Sequence, residues 1–250
     1  MISKFRIKYI KSLHLAKYRQ IYNKFIAEGD KVVRDLLKNK KFEIDEIFIC
    51  TGSEHIYTYL LHEPQLVVST VTTKEMAQIS ALKNPGNILI VLNKTEDDVN
   101  LLQKNGINAI YLDGVQDPGN VGTIIRIADW FGINMVIRSE DSADFFNPKV
   151  VQSSMGSLGQ LLLCTSDFEV LTNFGKNIIG TYMNGQPIHR SIIPDNTILV
   201  MGSEGQGISE HLTPYISEKI SIGGAQNKSA ESLNVAVAAG IICAYWKPHL

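Results

Sequence analysis

Apolar positions run through this 250-residue chain in two different rhythms, and the change between them falls near residue 107. Before it, helical spacing over 12–20 and 28–38 alternates with extended runs. In the second helix Val32, Val33, Leu36 and Leu37 share one face. The segments 46–50 (EIFIC), 65–70 (QLVVST) and 87–92 (NILIVL) predict strands. Residues 72–80 (TTKEMAQIS) predict a helix, and Asn84-Pro85-Gly86 marks a turn. This is a small α/β unit with material for its own core. Residues 94–106 (KTEDDVNLLQKNG) are polar and acidic at the start, and read as a linker running into a short helix. The division is accordingly placed between 98 and 99.

Beyond 107 the rhythm becomes strand, loop, helix. Short apolar runs at 108–113, 134–138, 161–164, 177–182 and 197–201 suit strands covered on both faces of a parallel sheet. Helical stretches at 122–131, 146–155 and 167–173 lie between several of them. The last helix, 231–246, is apolar nearly all round, which predicts burial within the subunit or against a partner. An open α/β sheet follows, with ligands expected at the carboxyl ends of its strands.

Charge changes this picture. The net charge of −1 conceals twelve Lys/Arg against three Asp/Glu in residues 1–41, and an acidic remainder. A basic head on an acidic body fits a polyanionic partner; a solvated lysine-rich helix face is the alternative. Cys50, Cys164 and Cys243 are odd in number and widely spaced, which suits a reducing cytoplasmic setting rather than a disulfide framework. No apolar run reaches membrane-spanning length, and the basic N-terminus lacks the apolar stretch of a secretory signal. No His, Cys or carboxylate cluster asks for a metal.

Three loops near strand ends concentrate Gly, Asn, Glu and Arg. In 112–132 (LDGVQDPGNVGTIIRIADWFG) a helix is expected to begin near Gly122, with Asn120 placed to cap it and to reach a ligand. Arg126 lies among Ile124, Ile125, Ile127 and Ala128, and a charge in an apolar helix face must find a partner. That partner is a ligand or a structural counter-ion, and the alternative is a side chain that snorkels to the surface. In 199–209 (LVMGSEGQGIS), Gly202 and Gly207 have the spacing of a phosphate-binding loop. Ile208-Ser209 stands where Lys-Ser/Thr is required, so a nucleotide triphosphatase is excluded. The dinucleotide fingerprint is missing too, which removes a Rossmann oxidoreductase. In 231–240 (ESLNVAVAAG), Ser232 and Asn234 stand at a helix start, as caps or as ligand contacts.

Together these segments, with D-P-G-N-x-G-x-x-x-R, M-G-S-E-G-Q-G and S-L-N-V-A-V-A in that order, resemble the SpoU-type (TrmH-like) RNA ribose 2'-O-methyltransferases of the SPOUT class. The resemblance covers roughly 107–246. The stretch 17–37 also looks like the start of the small RNA-binding domain of many members. The resemblance implies a trefoil-knotted parallel-sheet catalytic domain, which the rarity of true knots would otherwise argue against. It implies S-adenosyl-L-methionine as cofactor and a homodimer in which two subunits build each active site. It implies an RNA substrate, ribosomal before transfer RNA. Asn120, Arg126, Glu204, Ser232 and Asn234 become the catalytic centre, and Thr181, Gly202, Ile222 and Leu233 the cofactor contacts. This chain departs from the pattern at 223–232, GGAQNKSAES, where relatives carry a shorter stretch with a proline-methionine pair. The expected chemistry is displacement at a methyl carbon by a ribose hydroxyl that must lose its proton. A guanidinium is a poor base, so Arg126 is read as a phosphate clamp that polarises the hydroxyl. The competing readings are a methyltransferase that acts on a base or a small molecule, the same fold acting on transfer RNA, and an RNA-binding protein without catalysis.

Overall fold

The structure, a computed structural model, describes residues 2–227 and 229–247. It falls into two compact units. The first runs to Thr95 and takes in Phe146–Gln160; the second holds Glu96–Phe145 and the chain from Leu161 onward.

The first unit opens with helices α1 (Lys4–Ser12) and α2 (Ala16–Tyr22), then β1 (Lys24–Glu28) and α3 (Asp30–Asn39). It continues through β2 (Ile44–Cys50), α4 (Thr58–Leu61), β3 (Val68–Val71), α5 (Thr73–Ile79) and β4 (Ile88–Asn93). The strands form one sheet in the order β1-β4-β2-β3. Strand β4 runs antiparallel to both neighbours, while β2 and β3 are parallel. Ile10, Leu13, Ile26, Phe48, Met76 and Leu89 are among the residues of a core cluster here. The helix expected over 12–20 begins only at Ala16, and α1 before it was not expected from the sequence. The chain breaks at Leu13–Leu15 because Leu13 turns into the core and buried Arg19 donates to the carbonyls of Leu13 (3.0 Å) and His14 (2.9 Å). A cation supplies the donors that the end of α1 lacks. Strand β1 was hidden in the sequence by its short length between two helical patterns.

The second unit begins with β5 (Ala109–Asp113), α6 (Pro118–Trp130) and β6 (Met135–Arg138). Helix α7 (Pro148–Ser154) lies in the segment that belongs to the first unit. The second unit resumes with β7 (Leu162–Thr165), α8 (Phe168–Leu171), β8 (Asn177–Pro187), β9 (Thr197–Gly202), β10 (Glu218–Ser221) and α9 (Val235–Trp246). All pairs in its six-stranded sheet, β10-β8-β9-β5-β6-β7, are parallel. The linear division at 98/99 differs from the compact units on two points: the boundary falls three residues earlier, between Thr95 and Glu96, and residues 146–160 leave the second unit's run of sequence. Phe146 packs on Phe25 (ring centroids 4.9 Å) and Phe42 (6.0 Å), and that aromatic contact explains the excursion.

The segment read as a linker is pinned in place. Asp97 accepts the Leu163 amide at 2.8 Å and its own amide donates back to Leu163 at 2.7 Å, while Glu96 accepts the Thr165 amide at 2.8 Å. The acids that suggested a solvated stretch cover the open edge of β7. Strand β10, absent from the sequence reading, is a short edge strand carrying Glu218 and Lys219.

Candidate active site

Helix α6 starts four residues earlier than the sequence suggests. Asp117 is its N-cap, Pro118 occupies the first turn, and Asp117 Oδ1 accepts the Asn120 amide at 3.0 Å. Proline suits that turn because its missing donor would be unsatisfied there anyway. Asn120 is therefore not the cap, and its side chain is available for other bonds. Its Nδ2 donates to Glu204 Oε1, and its Oδ1 accepts from Asn234 Nδ2 at 3.0 Å. Asn234 in turn caps α9, with Oδ1 accepting the amides of Ala236 (3.0 Å) and Val237 (3.2 Å). One relay joins the three loops. Its polarity is set from the helix end: the α9 amides need an oxygen, so the Asn234 amino group faces Asn120. The Asn120 amino group then requires an acceptor, and a carboxylate at 204 supplies it. Ser232 takes no part in the cap, which belongs to Asn234.

Glu204 also lines a cavity of about 630 Å³, together with Thr181, Gly202, Ile222, Ser232 and Leu233. The four positions expected to hold a cofactor thus share one cavity. Three local devices shape it. First, β8 and β10 pair with a jump, Lys219 opposite Gly180 and then Ile220 opposite Gln186, so that residues 181–185 bow outward. Thr181 is tied back by its hydroxyl, which donates to the Val200 carbonyl at 3.1 Å. Second, the chain after β9 doubles back on itself. Ser203 and Gly207 exchange backbone bonds of 3.1 and 2.9 Å, and Gly207 adopts φ +71°. A Cβ on Gly202 would lie 2.2 Å from the Gly207 carbonyl carbon, so only glycine allows that approach. Third, buried Asp113 at the end of β5 accepts the Ser209 amide (2.7 Å) and hydroxyl (3.2 Å), anchoring the far end of the loop. Asp113 and Asp117 were not singled out from sequence. An acid ending a strand and an Asp-Pro pair opening a helix were their available signals.

Arg126 stands apart from the relay. It lies more than two turns into α6, about 240° round the helix from Asn120, and is exposed. Ile124, Ile125 and Ala128 are the fully buried side of that helix. Of the readings open for Arg126 the structure takes the surface one: the residue is exposed, with Trp130 (81% exposed) one turn further on. Nearby thiol chemistry is removed by burial, which pushes Cys243 on α9 up to about 12 and leaves it protonated at neutral pH.

A model described as the SpoU rRNA Methylase family matches residues 108–244, more than half of the chain. The chain belongs to the SpoU rRNA methylase family. A second model, the MRM3-like substrate binding domain, matches residues 4–89 of this SpoU protein. Among its relatives is the 23S rRNA (guanosine(2553)-2'-O)-methyltransferase RlmP of Bacillus subtilis, 32% identical over 95% of this chain and 94% of that one. A TrmH-family structure from Porphyromonas gingivalis superposes with a TM-score of 0.86 at 32% identity, covering 99% of both chains. An AdoMet-bound rRNA methyltransferase from Sinorhizobium meliloti superposes with 0.86 at 27% identity over 100% of this chain and 97% of that one.

The SpoU cavity fits that cofactor class in its donors and its lining. Ile222, Leu233, Val235 and Ile242 offer apolar surface for an adenine, and the backbone of Gly202 lines the same cavity. Among the described residues no helix of this SpoU protein is long and apolar enough to cross a membrane.

Proposed function

We propose that this chain transfers a methyl group from S-adenosyl-L-methionine to a ribose 2'-hydroxyl of ribosomal RNA, in the cytoplasm and as a homodimer. The observation that carries the reading is the relay Glu204–Asn120–Asn234, which links all three loops and reaches the cavity through Glu204. Backbone at Gly202, Ile222 and Leu233, with Thr181, would hold the cofactor, and the loops after β8, β9 and β10 would form the trefoil knot. The cofactor supplies an activated methyl group on a sulfonium. The chain's own task is to hold the hydroxyl in line and to dispose of its proton. Arg126 would clamp an RNA phosphate and polarise the hydroxyl, since its fork matches phosphate oxygens. Glu204 and Ser232 would orient the ribose, with Asn120 and Asn234 fixing Glu204. Calorimetry with S-adenosylmethionine, then methyl transfer to purified ribosomal and transfer RNA followed by nucleoside analysis, tests the proposal. Transfer to a base, or to no RNA, overturns it.

The outward Arg126 favours the dimer, because its distance from its own relay suits delivery to a second subunit's site. Helix α9 buries Ala236 (4% exposed) and Ala239 (0%) within one subunit, so a charge there tests the fold rather than assembly. Val237 and Tyr245 are 52% and 54% exposed on the same helix. Val237→Glu with Tyr245→Glu is expected to give a folded monomer that has lost methyl transfer. A wild-type monomer with full activity by sedimentation would refute the shared site.

RNA affinity is expected to reside largely in the basic head. Arg6 is a poor probe of it, since it pairs with Glu46 and lies 4.7 Å over the Tyr9 ring. Lys4, Lys8 and Lys11 are exposed. Neutralising these three should weaken RNA binding and flatten its logarithmic salt dependence by about two to three. Cofactor affinity should not move. An unchanged salt slope would remove the head from the RNA interface.

A further inference from the structure

Helices α1 and α2 carry a row of aromatic rings that the basic-head reading does not use. Tyr9 meets Tyr22 edge-on with ring centroids 4.9 Å apart, and Tyr22 lies nearly parallel to Tyr18 at 6.2 Å and 15°. Phe5 sits one turn before Tyr9 on α1 and is 80% exposed; Tyr22 is 41% exposed. Leu15 and Ile21 add apolar surface alongside. Leaving rings in water has no folding advantage, since removal of apolar area from water is what stabilises a fold. The charge around them is of one sign. Residues 4–22 hold six Lys/Arg and no Asp/Glu. The acids that approach from β2, Asp45 and Glu46, are engaged by Arg6 and Lys24, while Lys4, Lys8, Lys11 and Lys17 stay exposed.

Rings set among exposed lysines match the two halves of an unpaired nucleotide. A base has an apolar face that stacks on an aromatic side chain, and its phosphate seeks a cation. A duplex offers the phosphates but keeps its base faces inside the helix, and A-form RNA is read mainly by shape and backbone. A protein partner would satisfy the apolar rings but would need a dense acidic patch to meet the lysines. We propose that the α1–α2 surface is a stacking subsite for an unpaired segment of the substrate RNA, with Phe5 and Tyr22 receiving bases and Lys4, Lys8, Lys11 and Lys17 holding the backbone. This rests on the RNA reading above and adds to it a preference for single strands at this surface.

The test uses the full chain, a single-stranded ribo-oligonucleotide and a duplex of equal length. Phe5→Ala with Tyr22→Ala is expected to lower single-strand affinity by about tenfold per ring. Duplex affinity and the salt slope should stay unchanged. The three-lysine variant should weaken both RNAs and flatten the slope. Phe5→Trp is expected to restore stacking and to show indole quenching on addition of the oligonucleotide. Cofactor affinity and circular dichroism confirm folding of each variant. Equal loss on single strand and duplex, or no loss on either, overturns the stacking subsite even if the lysine variant behaves as expected. A lysine variant that binds both RNAs normally removes the head from the RNA interface and overturns the subsite with it, whereas a wild-type chain that binds neither RNA overturns the RNA reading itself. A wild-type oligomer that dissociates in the aromatic variant, with RNA binding intact, would assign the surface to a protein contact and overturn the proposal.

Discussion

Arg126→Ala is expected to abolish methyl transfer, by about a hundredfold or more, while S-adenosylmethionine binds as before. The guanidinium is exposed on α6 and the cavity is lined by residues of other segments, so losing it leaves the cofactor's walls intact. What would be lost is the proposed clamp on the RNA phosphate. Arg126→Lys separates two mechanisms. Lysine retains a point charge without the planar fork, and it releases a proton more readily than arginine does. A clamp that depends on two parallel donors should fail in the lysine variant at every pH. A proton acceptor should instead recover activity as pH rises through the lysine range. Single-turnover transfer on the native RNA, with calorimetry for the cofactor, reads both. Near-normal turnover of the alanine variant would remove Arg126 from the active centre.

The second large effect belongs to a residue without a side chain. Gly202→Ala would set a methyl group 2.2–2.3 Å from the backbone of Gly207 and Ile208, well inside contact distance and against atoms that cannot rotate away. The reversed chain after β9 must open, and with it the wall of the cavity. Cofactor binding should disappear from calorimetry, and the thermal shift on adding S-adenosylmethionine should vanish with it. Gly205→Ala is the control, because nothing lies within 4 Å of its added carbon. It should bind almost normally. If Gly202→Ala binds as wild type, the cavity is not where the cofactor goes.

The chain's text made some of this legible and concealed the rest for physical reasons. Strands β5, β6 and β9 are buried on both faces, so their apolar runs are unbroken and easy to read. Strand β10 is an edge with half its residues turned to charge, and β1 is short and flanked by helical patterns. Both escape a reading based on periodicity. At the site, glycines and polar residues embedded in apolar context drew attention to Asn120, Glu204 and Asn234, and only the family resemblance assigned them to one centre. Only coordinates show that Asn234 spends its oxygen on α9 and thereby determines which way Asn120 must point. Arg126 stayed open in the sequence, because apolar neighbours allow either a buried ion pair or a side chain at the surface; Ile124, Ile125 and Ala128 occupy the buried side of the helix and Arg126 the exposed one.

The excursion of residues 146–160 bears on how the protein is made. Phe25 and Phe42 leave a ribosome long before Phe146, the ring that packs on them. Gly156 and Gly159 likewise fit against Asp35 and Leu36, with no room for a side chain at the first. The amino-terminal unit therefore cannot complete its packing until residues 146–160 have been synthesised, by which time β5 and β6 already exist. Early growth of the chain leaves an apolar aromatic surface waiting, a natural binding site for a chaperone. Fragments ending near Thr95 would keep that surface permanently, and are expected to aggregate where fragments supplied with the 146–160 peptide in trans would not.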